Sequence, residues 1–148
     1  MRPPYPVIDA HVHIMPWDQV HDDARATLQH GREDAELAHA VSHDPHRLIA
    51  FMDERNIERL GMINYVTPAV VGFTEEANEH SARMARAYPE RLIPFGGIDP
   101  RRVPDVAAEM DRLLEELGLQ GIKIHPPHQL FRVNEYLHGD ELRGLATV

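Results

Sequence analysis

The chain has no cysteine. Disulfides and thiolate metal sites are therefore excluded, and any metal must be held by His, Asp, Glu or a modified Lys. There is no run of Lys or Arg, and 24 acidic against 15 basic residues leave a formal net charge of −9. Nucleic acid and anionic membrane both require a basic footprint, so neither is an expected partner. No apolar stretch is long enough to span a bilayer, and the opening segment MRPPYP lacks the apolar core of a secretory signal. These absences suit a cytoplasmic soluble protein.

What is present is an ordinary globular balance, 43% apolar and 26% charged over 148 residues, which suits one domain over 1–148 without linker or repeat. Val7–Ile14 reads VIDAHVHI. Ile8, Ala10, Val12 and Ile14 are apolar, while Asp9, His11 and His13 are ionisable, so period-2 alternation predicts a strand with a titratable face. Met15–Ser42 is a long polar excursion with a short helix expected over Asp34–Val41. Asp44-Pro45 then starts a helix with Leu48, Phe51 and Met52 on its buried side. Further strands are expected at Arg59–Val66, Arg91–Ile98 (bent at Pro94) and Gly121–His125. Between them, one helix is capped by Thr74, and another opens at Pro104 and stops at Gly118. Asp140–Val148 reads as the first turns of one more helix. Such βα alternation implies a parallel sheet.

Strands buried by helices on both faces are apolar on both. The first breaks this rule with Asp9, His11 and His13, and the fourth with Lys123 and His125; such violations mark functional sites. His11 and His13 stand at the C-terminal end of their strand, about 6–7 Å apart along it, and can converge on one ion. Neutral imidazole suits zinc, manganese, iron or nickel. Asp9 serves either as a direct ligand or as an orienting hydrogen-bond partner of a ligand imidazole. A lysine inside a barrel must be paired or modified; a structural pair between Lys123 and Asp9 is favoured over a carbamate bridging two metals. His125 either meets substrate or metal or caps the barrel rim, and Asn64 and Tyr65 either touch substrate or pack. His21, His30, His39, His43 and His46 lack the regular spacing of a metal-binding tract and read as solvated.

VIDAHVHI resembles the first-strand signature of the amidohydrolase superfamily. FMDERNIERLGMINYV, NEHSARMARAYPERLIPFGGIDPR and LGLQGIKIHPP narrow the resemblance to its amidohydrolase-2 branch, the group of aminocarboxymuconate-semialdehyde decarboxylase and γ-resorcylate decarboxylase. The resemblance runs from Val7 onward. It implies a (β/α)8 TIM barrel with one divalent metal, usually zinc, bound by His11 and His13, and a full-length enzyme assembled as a homo-oligomer (dimer or tetramer). It implies a metal-dependent hydrolase or decarboxylase of small carboxylated, aromatic or lactone-like substrates. The remaining ligand, a His of the fifth strand, is expected downstream of Val148, as are a catalytic His of the sixth and an Asp of the eighth; no catalytic residue is expected within 1–148. Lys123 falls where other branches carry a carbamylated lysine and this branch does not. A barrel needs roughly 250 residues, so the expectation is an α/β N-terminal half-barrel of about four βα units, truncated and inactive by itself. Two other readings stand beside this one: a PHP- or TatD-type metal phosphoesterase, and a non-catalytic half-barrel interaction module.

Overall fold

A computed structural model describes residues 3–132. The helix expected at Asp140–Val148 lies outside the described residues. Four strands, β1 (Val7–Val12), β2 (Ile57–Ile63), β3 (Leu92–Gly97) and β4 (Gly121–Lys123), form one parallel sheet in the order β1-β2-β3-β4. They curl into half of a barrel wall, with helices packed on the outer face. The helices are α1 (Asp22–Gln29), α2 (Ala35–His43), α3 (Pro45–Glu54), α4 (Glu76–Arg86) and α5 (Val106–Asp111), the last running on as a π-helical turn over Arg112–Glu116. Among the described residues no helix is long and apolar enough to cross a membrane.

Two of the helices, α3 and α5, start at an aspartate whose side chain accepts from the free N–H groups of the first turn. Asp44 accepts from the main-chain N–H of His46 and Arg47, with Pro45 in the first turn; such a cap contributes about 1 kcal/mol. The last helix begins later than Pro104 suggested, because Asp105 caps it by accepting from Ala108 N at 2.9 Å. Gly118, at φ +71, turns the chain out of that helix in a conformation costly to any residue with a Cβ. Pro94 causes no break in register: it pairs with Met62, and its carbonyl accepts from Gln120 N at 2.8 Å. Amide and carbonyl of one strand residue face the same side, so its missing N–H falls just ahead of where β4 begins to pair.

The main core lies between sheet and helices. Leu48 and Met52 of α3, Leu60 and Met62 of β2, Met84 of α4 and Leu92 of β3 are all at most 2% exposed and share one cluster. Each such side chain stabilises the fold by about 1.5–3 kcal/mol through burial. A second cluster joins Ala82 to Val106, Met110 and Leu113, and a third, around Trp17 and Phe73, anchors the long excursion after β1.

His80 is a buried ionisable group of the helix layer. It is 4% exposed on α4, and Arg83 Nη2 donates to its Nδ1 at 3.0 Å. Burial first, then the charges of Arg83 and His43, hold its imidazole down at about 4, against the opposing pull of Asp18 and the Ser42 carbonyl. Between about pH 6.5 and 4 the unfolded chain therefore takes up a proton that the folded chain refuses, so stability falls on acidification and recovers above that window. Urea denaturation should show roughly 1–3 kcal/mol lost to this group between pH 7 and 4.5. His80→Gln should flatten that part of the pH profile; an unchanged slope would count against this assignment.

Candidate metal centre

The geometry starts from an extra residue in β1. Asp9 pairs with Leu60 and Val12 with Met62, so three steps of β1 run opposite two of β2. This bulge interrupts the alternation expected from the sequence. Residues paired in a parallel ladder share a face, so Asp9 lies on the helix side with Leu60 and Val12, not in line with the histidines. Its Oδ1 accepts from the main-chain N–H of His11 at 3.2 Å. Asp9 thus braces the backbone beneath His11 and makes no contact with the ring, a correction to both roles expected for it. Gly61 makes room for the bulge: a Cβ there would sit 2.6 Å from the Ala10 carbonyl oxygen and 2.9 Å from its carbon.

The bulge turns both imidazoles to the inner side. The rings of His11 and His13 have centroids 5.2 Å apart at an interplanar angle of 60°. With Zn–N bonds of about 2.1 Å, two imidazoles on one tetrahedral ion have centroids roughly 5 Å apart. Desolvation first, then the charges of Lys123 and His11, hold His13 down at about 4 against the opposing pull of the Ile63 backbone, so it is neutral and able to ligate at physiological pH.

Lys123 reaches in from β4. Its Nζ lies 3.4 Å from His11 Nε2 and 4.8 Å from the centroid of the Tyr65 ring. The pair expected with Asp9 is absent from the ion pairs among the described residues, because the bulge puts Asp9 on the other face. Burial lowers the Lys123 ammonium from its ordinary value. Since Lys123 donates, His11 presents a lone pair at Nε2, where a metal would bind.

Asn64 does not join them. It is fully buried on the helix side, and its Nδ2 donates to the Ile14 carbonyl at 2.9 Å and to Ser81 Oγ at 2.8 Å. It therefore ties the end of β1 to α4, the packed alternative of the two open to it. Tyr65, the next residue, faces inward. His125 stacks on it at 5.0 Å and 19°, and His128 Nδ1 shares a 2.7 Å hydrogen bond with its hydroxyl. The His125 imidazole is lowered by burial first, then by His128 and Lys123, and burial raises the Tyr65 phenol.

His128 and Gln129 were not singled out from the sequence. Gln129 is 1% exposed, and its Nε2 donates to the carbonyls of Val66 and Ile98, while its Oε1 accepts from His125 N. One buried amide thus pins the turn after β4 across the ends of β2 and β3. The His-x-x-His spacing of His125 and His128 was the available signal. Asp99 and Arg101 brace the same region through a bond of 2.9 Å, with Asp99 almost fully buried.

Parallel strands in sequence order, helices on the outer face and an ionisable cluster at the C-terminal ends define the first half of a TIM-barrel protein. The amidohydrolase family model, amidohydrolase-2, matches residues 8–146, and the chain belongs to that family. An uncharacterised TIM-barrel protein from Bordetella bronchiseptica is similar in structure, with TM-score 0.59 and 20% identity. That match covers 95% of this chain and 50% of the other, so the chain spans about half the length of that neighbour; at this identity the likeness is one of fold. No curated protein matches the chain.

Gly61→Ala should push Ala10 out of place and cost about 1–3 kcal/mol of stability, as overpacking against backbone does. Urea denaturation gives the cost, and the His11 ring resonance should shift in the same variant. An unchanged midpoint and spectrum would mean that the bulge does not depend on this glycine.

Proposed function

We propose that this chain supplies the first half of the active site of a metal-dependent amidohydrolase-2 enzyme acting on a small carboxylated, aromatic or lactone-like substrate. The observation that carries the reading is the His11–His13 pair, 5.2 Å between centroids at the mouth of the half-barrel. The donor set fits a transition metal: two imidazoles, one held neutral by its surroundings and one presenting a lone pair. An ion on His11 Nε2 would require the Lys123 ammonium, 3.4 Å away, to move aside or to give up its proton. A divalent ion held there, zinc by expectation and manganese, iron or nickel by ligand chemistry, would act as a Lewis acid on water or a substrate oxygen.

This chain's own residues supply the surroundings. Lys123 offers a cationic group that suits a substrate carboxylate, and its lowered basicity lets it also give up a proton. The Tyr65 ring, stacked with His125, offers a flat face to an aromatic or conjugated substrate. The Tyr65–His128 hydrogen bond holds a polar edge beside that face. Hydrolysis and decarboxylation diverge at acid–base groups that the family resemblance assigns to later strands, so both remain within the proposal.

Zinc titration followed by imidazole NMR tests the pair directly. The His11 and His13 resonances should move together, and His11→Ala should abolish the response at His13. A pair that stays unmoved in excess zinc would overturn the assignment. In the full barrel, His13→Ala should lower turnover at least about 100-fold together with bound metal, in assays of carbon dioxide release and of lactone opening.

A further inference from the structure

A second cluster lies outside the barrel mouth, where the excursion after β1 folds against α4. The 3-10 turn Trp17–Gln19 carries Asp18, and α2 carries His39 and His43 one helical turn apart. The two rings stack at 4.2 Å and 20°. One ligand atom from each of Asp18, His39 and His43 falls within 4.8 Å of the others. Around a tetrahedral zinc such atoms stand about 3.4 Å apart, so small rotations of exposed side chains close the site.

The hydrogen bonds of His43 favour a cation. Its Nδ1 lies 2.9 Å from the His39 carbonyl, which can only accept, so Nδ1 is the N–H donor. Its Nε2 lies 3.2 Å from Asp18 Oδ2, another acceptor. In the neutral ring a lone pair faces a carboxylate, and a proton or a metal ion must lie between them. A ring whose one N–H binds a backbone carbonyl and whose other nitrogen faces a second ligating group is an arrangement that metal-ligating histidines use. The adjoining cleft, ≈ 390 Å³, is lined by Asp18, Glu76 and Glu79 against one guanidinium, Arg83. His80 forms its wall, almost fully buried, with Nε2 lacking a well-formed hydrogen bond.

We propose that Asp18, His39 and His43 form a second divalent-metal site, which clips the turn after β1 to α2. Two imidazoles and a carboxylate select zinc, cobalt or nickel over calcium or magnesium. The site is independent of the His11–His13 pair, which stands at the C-terminal end of β1 and shares none of these ligands. The sequence set these histidines aside because the tract as a whole has no period; the helix alone brings two of them onto one face.

The test uses the whole chain with His11→Ala and His13→Ala combined, stripped with chelator and titrated with cobalt(II) or zinc(II). The proposal expects one equivalent bound with Kd below about 100 μM, with visible cobalt absorption of a four- or five-coordinate site. Adding His43→Ala or Asp18→Asn should weaken binding at least about 10-fold, while His30→Ala leaves it unchanged. Asp18 and His30 are exposed and His43 is partly so, and far-UV circular dichroism verifies that each variant keeps its fold. The absence of saturable binding at that concentration, the result a protonated His43 alone would give, overturns the proposal. A loss equally large in His30→Ala does so too.

Discussion

The site geometry depends on how β1 meets β2. One extra residue in β1, accommodated by the missing side chain of Gly61 and braced by the Asp9 carboxylate on the His11 amide, sets which side chains face inward. A regular strand would put Asp9 in line with the histidines and bring a carboxylate against Lys123. The bulge instead separates them, leaves Lys123 beside His11, and gives the cluster a cationic and imidazole character. Bulges beside active sites commonly re-aim a side chain in this way.

Around that feature the rest of the mouth is held by buried amides. Asn64 fixes the end of β1 against α4 from the helix side, and Gln129 fixes the turn after β4 across β2 and β3. Each amide satisfies backbone groups that have just left the sheet ladder, where an unpaired buried carbonyl would cost about 1–3 kcal/mol. Removing either would loosen the walls on which His13, Tyr65, His125 and His128 stand. The same residues therefore connect the stability of the fold to the placement of the candidate ligands.

Much of this was legible in the sequence. Strand order, the parallel sheet, the Asp44 cap, the stop at Gly118 and the prominence of His11 and His13 follow from periodicity and from local chemistry. The bulge was not legible, because alternation of VIDAHVHI is written for a regular strand and register is a property of the partner, here Gly61. β2 ends at Ile63 although a strand was expected to reach Val66, since Tyr65 and Val66 are buried at the mouth without pairing in the ladder. α1 carries no buried residue, so no apolar stripe announced it. Asn64 stood out in the sequence only as a polar residue near a strand end, and Gln129 not at all; their importance lies in which carbonyls the fold brings to them.

Metal ligation by His11 and His13 is the claim on which the functional account stands. A crystal of the chain grown with zinc, with diffraction recorded above and below the zinc absorption edge, tests it most directly. The account predicts an anomalous peak about 2.1 Å from one ring nitrogen of each histidine, with the Lys123 ammonium displaced from His11 Nε2. Density that leaves Lys123 against His11 and shows no zinc between the two rings would contradict it.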